Sequence, residues 1–347
     1  MNSKSISNLE LLDYNYVNNK NNSENLINTT DNDFQIQTEE TTLSETKSII
    51  INIIANMLFG FSGFQVKLLM LFYPGSYVPN NLLIYRFIGV MLVTIINLKI
   101  NNRDIPQFSE MKDKFWLFIR CSSNYFSFLF WVLGLNYIRF STLVCFTATS
   151  PVFVLFGAVL ILGEQFKMRY LYGLIICILG TFLIVLNDRD NSKSNSEIED
   201  GSEFWRLFFG ILFGLGHSTT MALAIIGIKK LSNSKLDNDT QVYFVGLIGV
   251  IQGLIFMPFL GGFIQALEFN VNFWCITNGI IFYYAAFYYQ YSFKNIDVIK
   301  VTTVTYLSII QAFILGALFL QNTVGFTDII GSLLVLSYNI YNAYYPA

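Results

Sequence analysis

Ten stretches of about 20 mostly apolar residues follow one another along the chain, each long enough to cross a bilayer as a helix. Apolar residues run continuously through each stretch instead of alternating, which excludes a transmembrane β-barrel. The chain is 13% charged, about half the charged fraction of an ordinary soluble domain. The sequence therefore predicts an all-α integral membrane protein with ten transmembrane helices. The ten spans lie near 48–71, 80–100, 115–137, 140–162, 170–187, 204–228, 240–265, 272–293, 298–320 and 325–345.

The distribution of Lys and Arg between the loops predicts the orientation. If the N-terminal tail is cytoplasmic, the loops on its side hold Lys99, Arg103, Lys112, Lys114, Lys167, Arg169, Lys229, Lys230, Lys235, Lys294 and Lys300. The opposite loops hold Arg139, Arg189, Lys193 and Arg206. Both termini are therefore predicted to be cytoplasmic. The sequence leaves open whether the membrane is the plasma membrane or an endomembrane.

Two polar segments divide the chain into its predicted domains. Residues 1–47 are rich in Asn and poor in aromatic residues, so we expect a disordered cytoplasmic tail. A polar linker at 188–203 separates two halves of five spans each, 48–187 and 204–346.

Composition also limits the partners and cofactors. No basic run is present, so a nucleic-acid partner is not expected, and the partners are membrane lipid and a small solute. Neither a metal nor another cofactor is expected, because all four cysteines lie in apolar runs without a Cys/His cluster. The sequence does not indicate an oligomeric state.

The two halves resemble each other. The stretch 136–173 can be aligned without a gap on 294–331, which places Ser150 on Ser308. Because five spans is an odd number, the second copy must enter the membrane inverted. Inverted repeats are a common way to build alternating access in transporters. Duplication could also have supplied only a stable helix bundle.

The first half also carries a longer motif. It consists of 135–142 (Leu-Asn-Tyr-Ile-Arg-Phe-Ser-Thr), 149–153 (Thr-Ser-Pro-Val-Phe) and 162–164 (Leu-Gly-Glu). This motif resembles the EamA-type domain of the drug/metabolite transporter superfamily, and Arg86 near the start of the second span fits as well. Over 48–346 the chain looks most like the eukaryotic solute-carrier branch. The resemblance implies ten helices around a central cavity.

Three cations lie inside spans, where each costs about 2.5–3.5 kcal/mol on the insertion scale. Lys67 and Arg120 each continue a polar stripe at helical spacing, Asn56-Gly60-Gly63-Lys67 in the first span and Arg120-Asn124-Ser127-Trp131 in the third. His217 continues a glycine stripe in the sixth. The structural alternatives are that Lys67 and Arg120 snorkel to the headgroups, that Arg86 only braces loops, and that His217 is a packed, hydrogen-bonded residue. The predicted substrate-binding residues are Lys67, Arg86, Arg120, Asn56, Asn124 and His217.

No carboxylate lies deep inside a predicted span; Glu164, Glu268, Asp297 and Asp328 fall at ends or in loops. Coupling to protons or sodium commonly uses a buried acid, so we predict uniport or exchange of a small, anionic organic solute by alternating access. One histidine and no buried acid pair argue against an enzyme, and no catalytic residue is expected. A non-transporting scaffold or sensor on the same fold is the alternative function.

Overall fold

The computed structural model describes 46–73, 79–104, 113–147, 149–162, 200–232, 236–260, 269–293, 307–320 and 325–344, with single helical positions in 172–184 and 301–305. Its helices are α1 (Thr46–Phe72), α2 (Pro79–Ile100), α3 (Lys114–Gly134), α4 (Phe140–Thr147), α5 (Ser150–Gly157), α6 (Asp200–Ser232), α7 (Asn238–Leu260), α8 (Phe269–Ser292), α9 (Leu307–Phe319) and α10 (Phe326–Tyr344). The predicted tail up to residue 45, and Glu164, Glu268 and Asp297, lie outside the described residues. The helix α6 begins within the predicted linker.

The predicted fourth span is divided in the middle. It consists of α4, α5 and a π-helical turn at Ala158–Leu162. Pro151 is the second residue of α5 and has no backbone N–H, so the ladder of α4 cannot continue through it. The side chain of Thr149 donates to the carbonyl of Phe146 at 2.7 Å and satisfies a carbonyl at the end of α4.

Five helices in the described part of the chain are long and apolar enough to cross a membrane. They are Thr46–Phe72, Pro79–Ile100, Phe140–Ile161, Phe204–Ser232 and Asn238–Leu260. The range Phe140–Ile161 is counted here as one span and contains α4, α5 and most of the π-helical turn. The helices α3 and α8 have 21 and 24 residues but are not in this set. Both carry several amide and hydroxyl side chains among their apolar residues, which lowers their mean hydropathy.

Helix pairing follows the internal repeat. Helix α3 packs along α6, and α2 packs along both α7 and α8. In the internal repeat, span two corresponds to span seven and span three corresponds to span eight. The contact between α2 and α8 therefore has an equivalent contact between α7 and α3, and both contacts are present. Counterpart spans meet as well, two with seven and four with nine. This pairing is expected of two like halves related by a two-fold axis, and the predicted all-α membrane fold of two five-helix repeats is confirmed.

Ion pairs between the halves mark the two ends of the bundle. At the end that we name the base, Arg103 Nη1 lies 2.7 Å from Asp237 Oδ2. At the opposite end, named the top, Arg139 Nη2 lies 3.4 Å from Asp328 Oδ1, and Asp328 is fully buried. Arg103 and Asp237 precede α3 and α7. Arg139 follows α3, and Asp328 lies in the first turn of α10, as expected if each span crosses between base and top. The helices α1, α3 and α7 therefore run from base to top, and α2, α6 and α8 run back.

Candidate functional site

A cavity of about 130 Å³ lies inside the bundle, between the two halves. The third-span stripe is part of its wall, since Arg120, Asn124, Ser127 and Trp131 all line it. The spacing of four, three and four residues places these side chains on one face of α3. The polar face of α3, which lowers the mean hydropathy of this helix, therefore faces the cavity.

Arg86 is held between two aromatic rings in the cavity wall. Its Cζ atom lies 3.4 Å from the ring centre of Phe128 and 4.1 Å from that of Phe282. Its Nη1 donates to Asn278 Oδ1 at 2.8 Å and to Ser62 Oγ at 3.4 Å. The side chain is buried, and its Nε has no hydrogen-bond partner. Cation–π contacts and a neutral amide thus hold the charge without a carboxylate.

Arg120 is the second buried arginine of the wall. Its Nη1 donates to Gln241 Oε1, its Nε has no partner, and its side chain is 1% exposed. The Gln241 amide in turn donates to the carbonyl of Leu236 at 3.1 Å, which orients the amide oxygen toward the arginine. The closeness of Gly227 on α6 to the Arg120 Cβ lets the two helices approach around this side chain.

The imidazole of His217 is fully hydrogen-bonded. Nδ1 lies 2.8 Å from the carbonyl oxygen of Ser127, an acceptor, so Nδ1 carries the proton and donates it. Nε2 then accepts from the Thr147 hydroxyl at 3.0 Å. The ring packs 5.0 Å from that of Trp131, centre to centre. His217 lines the cavity, and its hydrogen bonds connect α6, α3 and α4.

The structure brings five of the six predicted site residues to this cavity. Arg86, Arg120 and His217 are joined by Asn56, whose amide donates to Asn52, and by Asn124, whose side chain is open to the cavity. Lys67 is placed elsewhere. Its Nζ donates to the carbonyl of Leu135 at 3.1 Å, at the C-terminus of α3 near the top.

Two pairs of hydroxyl residues in the wall are absent from the predicted site. Thr147 and Ser150 flank the break in the fourth span, and Thr305 and Ser308 flank the start of α9. The gap-free alignment of 136–173 on 294–331 places Thr147 on Thr305 and Ser150 on Ser308. Spans four and nine therefore meet the cavity at equivalent positions, and this alignment was the signal that could have found these hydroxyl residues.

Gln290 was also missed by the sequence analysis. It lies on α8 in a run of aromatic residues and is 3% exposed, and neither its amide nitrogen nor its amide oxygen has a partner. It lines the cavity together with Phe282 and Ala286. The spacing of four residues between Phe282, Ala286 and Gln290 indicates a shared helix face and was the available signal.

Acidic side chains in the described residues stay away from the cavity wall. Asp239 and Asp328 are buried but lie in the first turns of α7 and α10. Within these residues, no group of three or more His, Cys, Asp or Glu side chains is arranged to hold a metal ion.

Comparison with known proteins gives the family. Residues 46–186 and 208–337 match the EamA-like transporter family. A solved crystal structure has the same fold, with a TM-score of 0.59 over 85% of this chain and 95% of the other at 11% sequence identity. No curated protein matches. The family is one of membrane transporters and not of enzymes, and the matched ranges cover both halves of the bundle. This multi-pass membrane protein belongs to the EamA-like transporter family.

Proposed function

We propose that the protein moves a small organic anion across the membrane by alternating access, as a uniporter or an exchanger. One observation carries the proposal: two buried arginines line the central cavity, and no Asp or Glu is among the lining residues that the structure describes. A buried charge without an opposite charge is costly. An anionic solute would supply that charge while it is bound.

Unused donors in the wall support the same solute class. Arg86 Nε, Arg120 Nε and Trp131 Nε1 are buried donors without an acceptor. Guanidinium and indole nitrogens can donate hydrogen bonds but cannot accept them. A carboxylate or phosphate oxygen is an acceptor with several lone pairs and would satisfy the donors of the arginine beside which it binds.

The size of the cavity sets the scale of the solute. Its volume of about 130 Å³ is close to that of a cavity of about 150 Å³ known to hold benzene. Phe59, Phe128, Phe282 and Tyr289 in the wall favour an organic solute with an apolar part over a bare inorganic anion. In this conformation, the cavity therefore suits an organic acid of a few carbon atoms.

The ion pairs at the two ends suggest how access could alternate. The base pair Arg103–Asp237 and the top pair Arg139–Asp328 each connect the first half to the second. In transporters of inverted repeats, the halves rock about a site near the midplane and open one end at a time. We infer that each pair breaks when its own end opens.

The surroundings of His217 favour transport without proton coupling. A proton on the buried imidazole would add a third cation to a wall in which the described lining residues include no carboxylate, and a buried charge without an opposite charge is costly. We therefore propose uniport or exchange. We also propose that the base faces the cytoplasm with both termini, and that the chain lies in the eukaryotic solute-carrier branch.

Exchange in liposomes tests this function. Purified protein is reconstituted, the vesicles are preloaded with unlabelled organic acid, and uptake of the labelled acid is followed. A panel of short mono- and dicarboxylates is compared with neutral amides and amines of the same size. We expect preloading to accelerate uptake of at least one acid and of none of the amines. Accelerated uptake of amines alone, or of no compound, would refute an anion exchanger.

A further inference from the structure

Gln290 is a buried residue of the cavity wall whose side-chain amide nitrogen and amide oxygen both lack a hydrogen-bond partner in the described part of the chain. Buried amide groups are nearly always hydrogen-bonded, yet neither Nε2 nor Oε1 of this 3% exposed residue has a partner. Other polar residues of the wall have partners within the protein: Asn56 donates to Asn52, and the Ser308 hydroxyl donates to the carbonyl of Thr305 at 2.5 Å. Gln290 is thus left for a group that enters the cavity.

The depth of Gln290 in the bundle can be compared with that of Arg120. The guanidinium of Arg86 lies between Phe128 on α3 and Phe282 on α8, so these two rings mark one level. Arg120 precedes Phe128 by eight residues on α3, which runs from base to top. Gln290 follows Phe282 by eight residues on α8, which runs from top to base.

Eight helical residues correspond to a rise of about 12 Å. Both Arg120 and Gln290 therefore lie about 12 Å closer to the base than Arg86, at a common depth. Both line the same cavity. The base end of the cavity consequently presents a cationic donor and, at the same depth, a free carboxamide.

The two unused functions of the carboxamide restrict what can satisfy it. An anionic oxygen accepts hydrogen bonds and could serve the Nε2 hydrogens. It could not serve Oε1, which needs a donor. A hydroxyl or a carboxamide on the solute both donates and accepts, and would satisfy Gln290 completely.

We propose that Gln290 is a specificity-determining residue that selects an organic anion bearing a second group, a hydroxyl or carboxamide, that both donates and accepts hydrogen bonds. The proposal rests on the proposed function, because Arg120 takes the anionic group while Gln290 binds the second group. A short hydroxylated organic acid is the simplest solute of this chemistry.

Matched pairs of acids that differ by one hydroxyl test the proposal. The probes are malate with succinate and lactate with propionate, and the dissociation constant of each is measured from the ligand-dependent melting of purified protein. We expect wild type to bind each hydroxylated acid about tenfold more tightly, as one good hydrogen bond would give. Gln290→Met, which keeps length and apolar volume, should bring this ratio close to one without weakening the binding of succinate.

Gln252 provides the control variant. It is a buried glutamine on α7 that donates to Ser122 at 2.7 Å and does not line the cavity. Gln252→Met should keep the wild-type preference for the hydroxylated acid. A preference that survives in Gln290→Met would overturn the proposal.

The wild-type protein alone is decisive if Gln290→Met does not fold. Equal binding of both members of each pair would refute the role of Gln290 and leave the anion transporter intact. If none of the four acids binds, the proposed solute class fails, and the role of Gln290 in selecting an organic anion fails with it.

Discussion

The Nη1 atom of Arg86 on α2 lies 2.8 Å from the Oδ1 atom of Asn278 on α8, 192 residues later in the chain. The second buried arginine has the same kind of partner, since Arg120 on α3 donates to Gln241 on α7. Spans two and seven are counterparts in the repeat, and so are spans three and eight. The contact between α2 and α8 is therefore equivalent to the contact between α7 and α3. Each guanidinium is thus positioned at an equivalent contact by a neutral amide that leaves its charge uncompensated.

The contact between α2 and α8 depends on two facing glycines, Gly89 and Gly279. A Cβ atom at Gly89 would lie 2.5 Å from the carbonyl oxygen of Ile276 and 3.2 Å from the Cα of Gly279. These are backbone atoms and cannot move aside without separating the helices. We expect Gly89→Ala to lower the free energy of unfolding by about 1–3 kcal/mol, as overpacking does, measured as a lower melting temperature of the purified protein.

Gly216→Ala is the matched control for that substitution. A Cβ at Gly216 would lie 3.0 Å from the ring of Phe130, a side chain that can shift by a few tenths of an ångström. We expect a smaller loss than at Gly89. Equal losses in the two variants would argue against close backbone packing of α2 on α8.

Reporter fusions test the orientation of the bundle. A reporter after Ala347 should read as cytoplasmic, because the loops at the base carry most of the Lys and Arg residues. A reporter inserted at Ser194, in the loop after the fifth span, should read as lumenal or extracellular. Both reporters on one side of the membrane would contradict the ten-span topology.

Helical spacing accounts for much of the predicted site. The spacing in the third span placed four side chains on one face, and all four line the cavity. The same reasoning put Lys67 on one face of α1 with Gly63, and the structure bonds its Nζ to the carbonyl of Leu135 near the top instead of placing it in the cavity wall. Spacing gives the face of a helix but does not give how far along that face a cavity extends.

Partners that are distant in sequence could not be predicted in this way. Nothing in the pattern around Arg86 identifies Asn278 as the amide that would hold it. Gln290 was not among the predicted site residues, because it stands in a run of aromatic residues in the eighth span. The internal repeat relates the third span to the eighth, so the polar stripe of the third span predicts an equivalent polar face in the eighth.

Proton coupling can be tested at His217. Since a proton on the imidazole would add a cation beside the two buried arginines of the wall, an imposed pH gradient should drive no concentrative uptake into liposomes. His217→Gln, which can still bond to Ser127 or Thr147, should keep most of the exchange rate. Concentrative, proton-driven uptake that is lost in His217→Gln would identify the imidazole as a proton carrier.

The central claim, that buried arginines of the cavity bind an anionic solute, is tested most directly by the exchange rates of two charge-removing variants. Arg120→Gln removes from the cavity wall the cation that takes the anionic group, and Lys67→Gln removes one from the same bundle outside the cavity. With insertion and melting checked for both, Arg120→Gln should lower the exchange of organic acid by about 30-fold or more. Lys67→Gln should stay within about threefold of wild type, as expected for a cation remote from the solute. Similar rates in the two variants, or a well-folded Arg120→Gln at the wild-type rate, would contradict an anion site in this cavity.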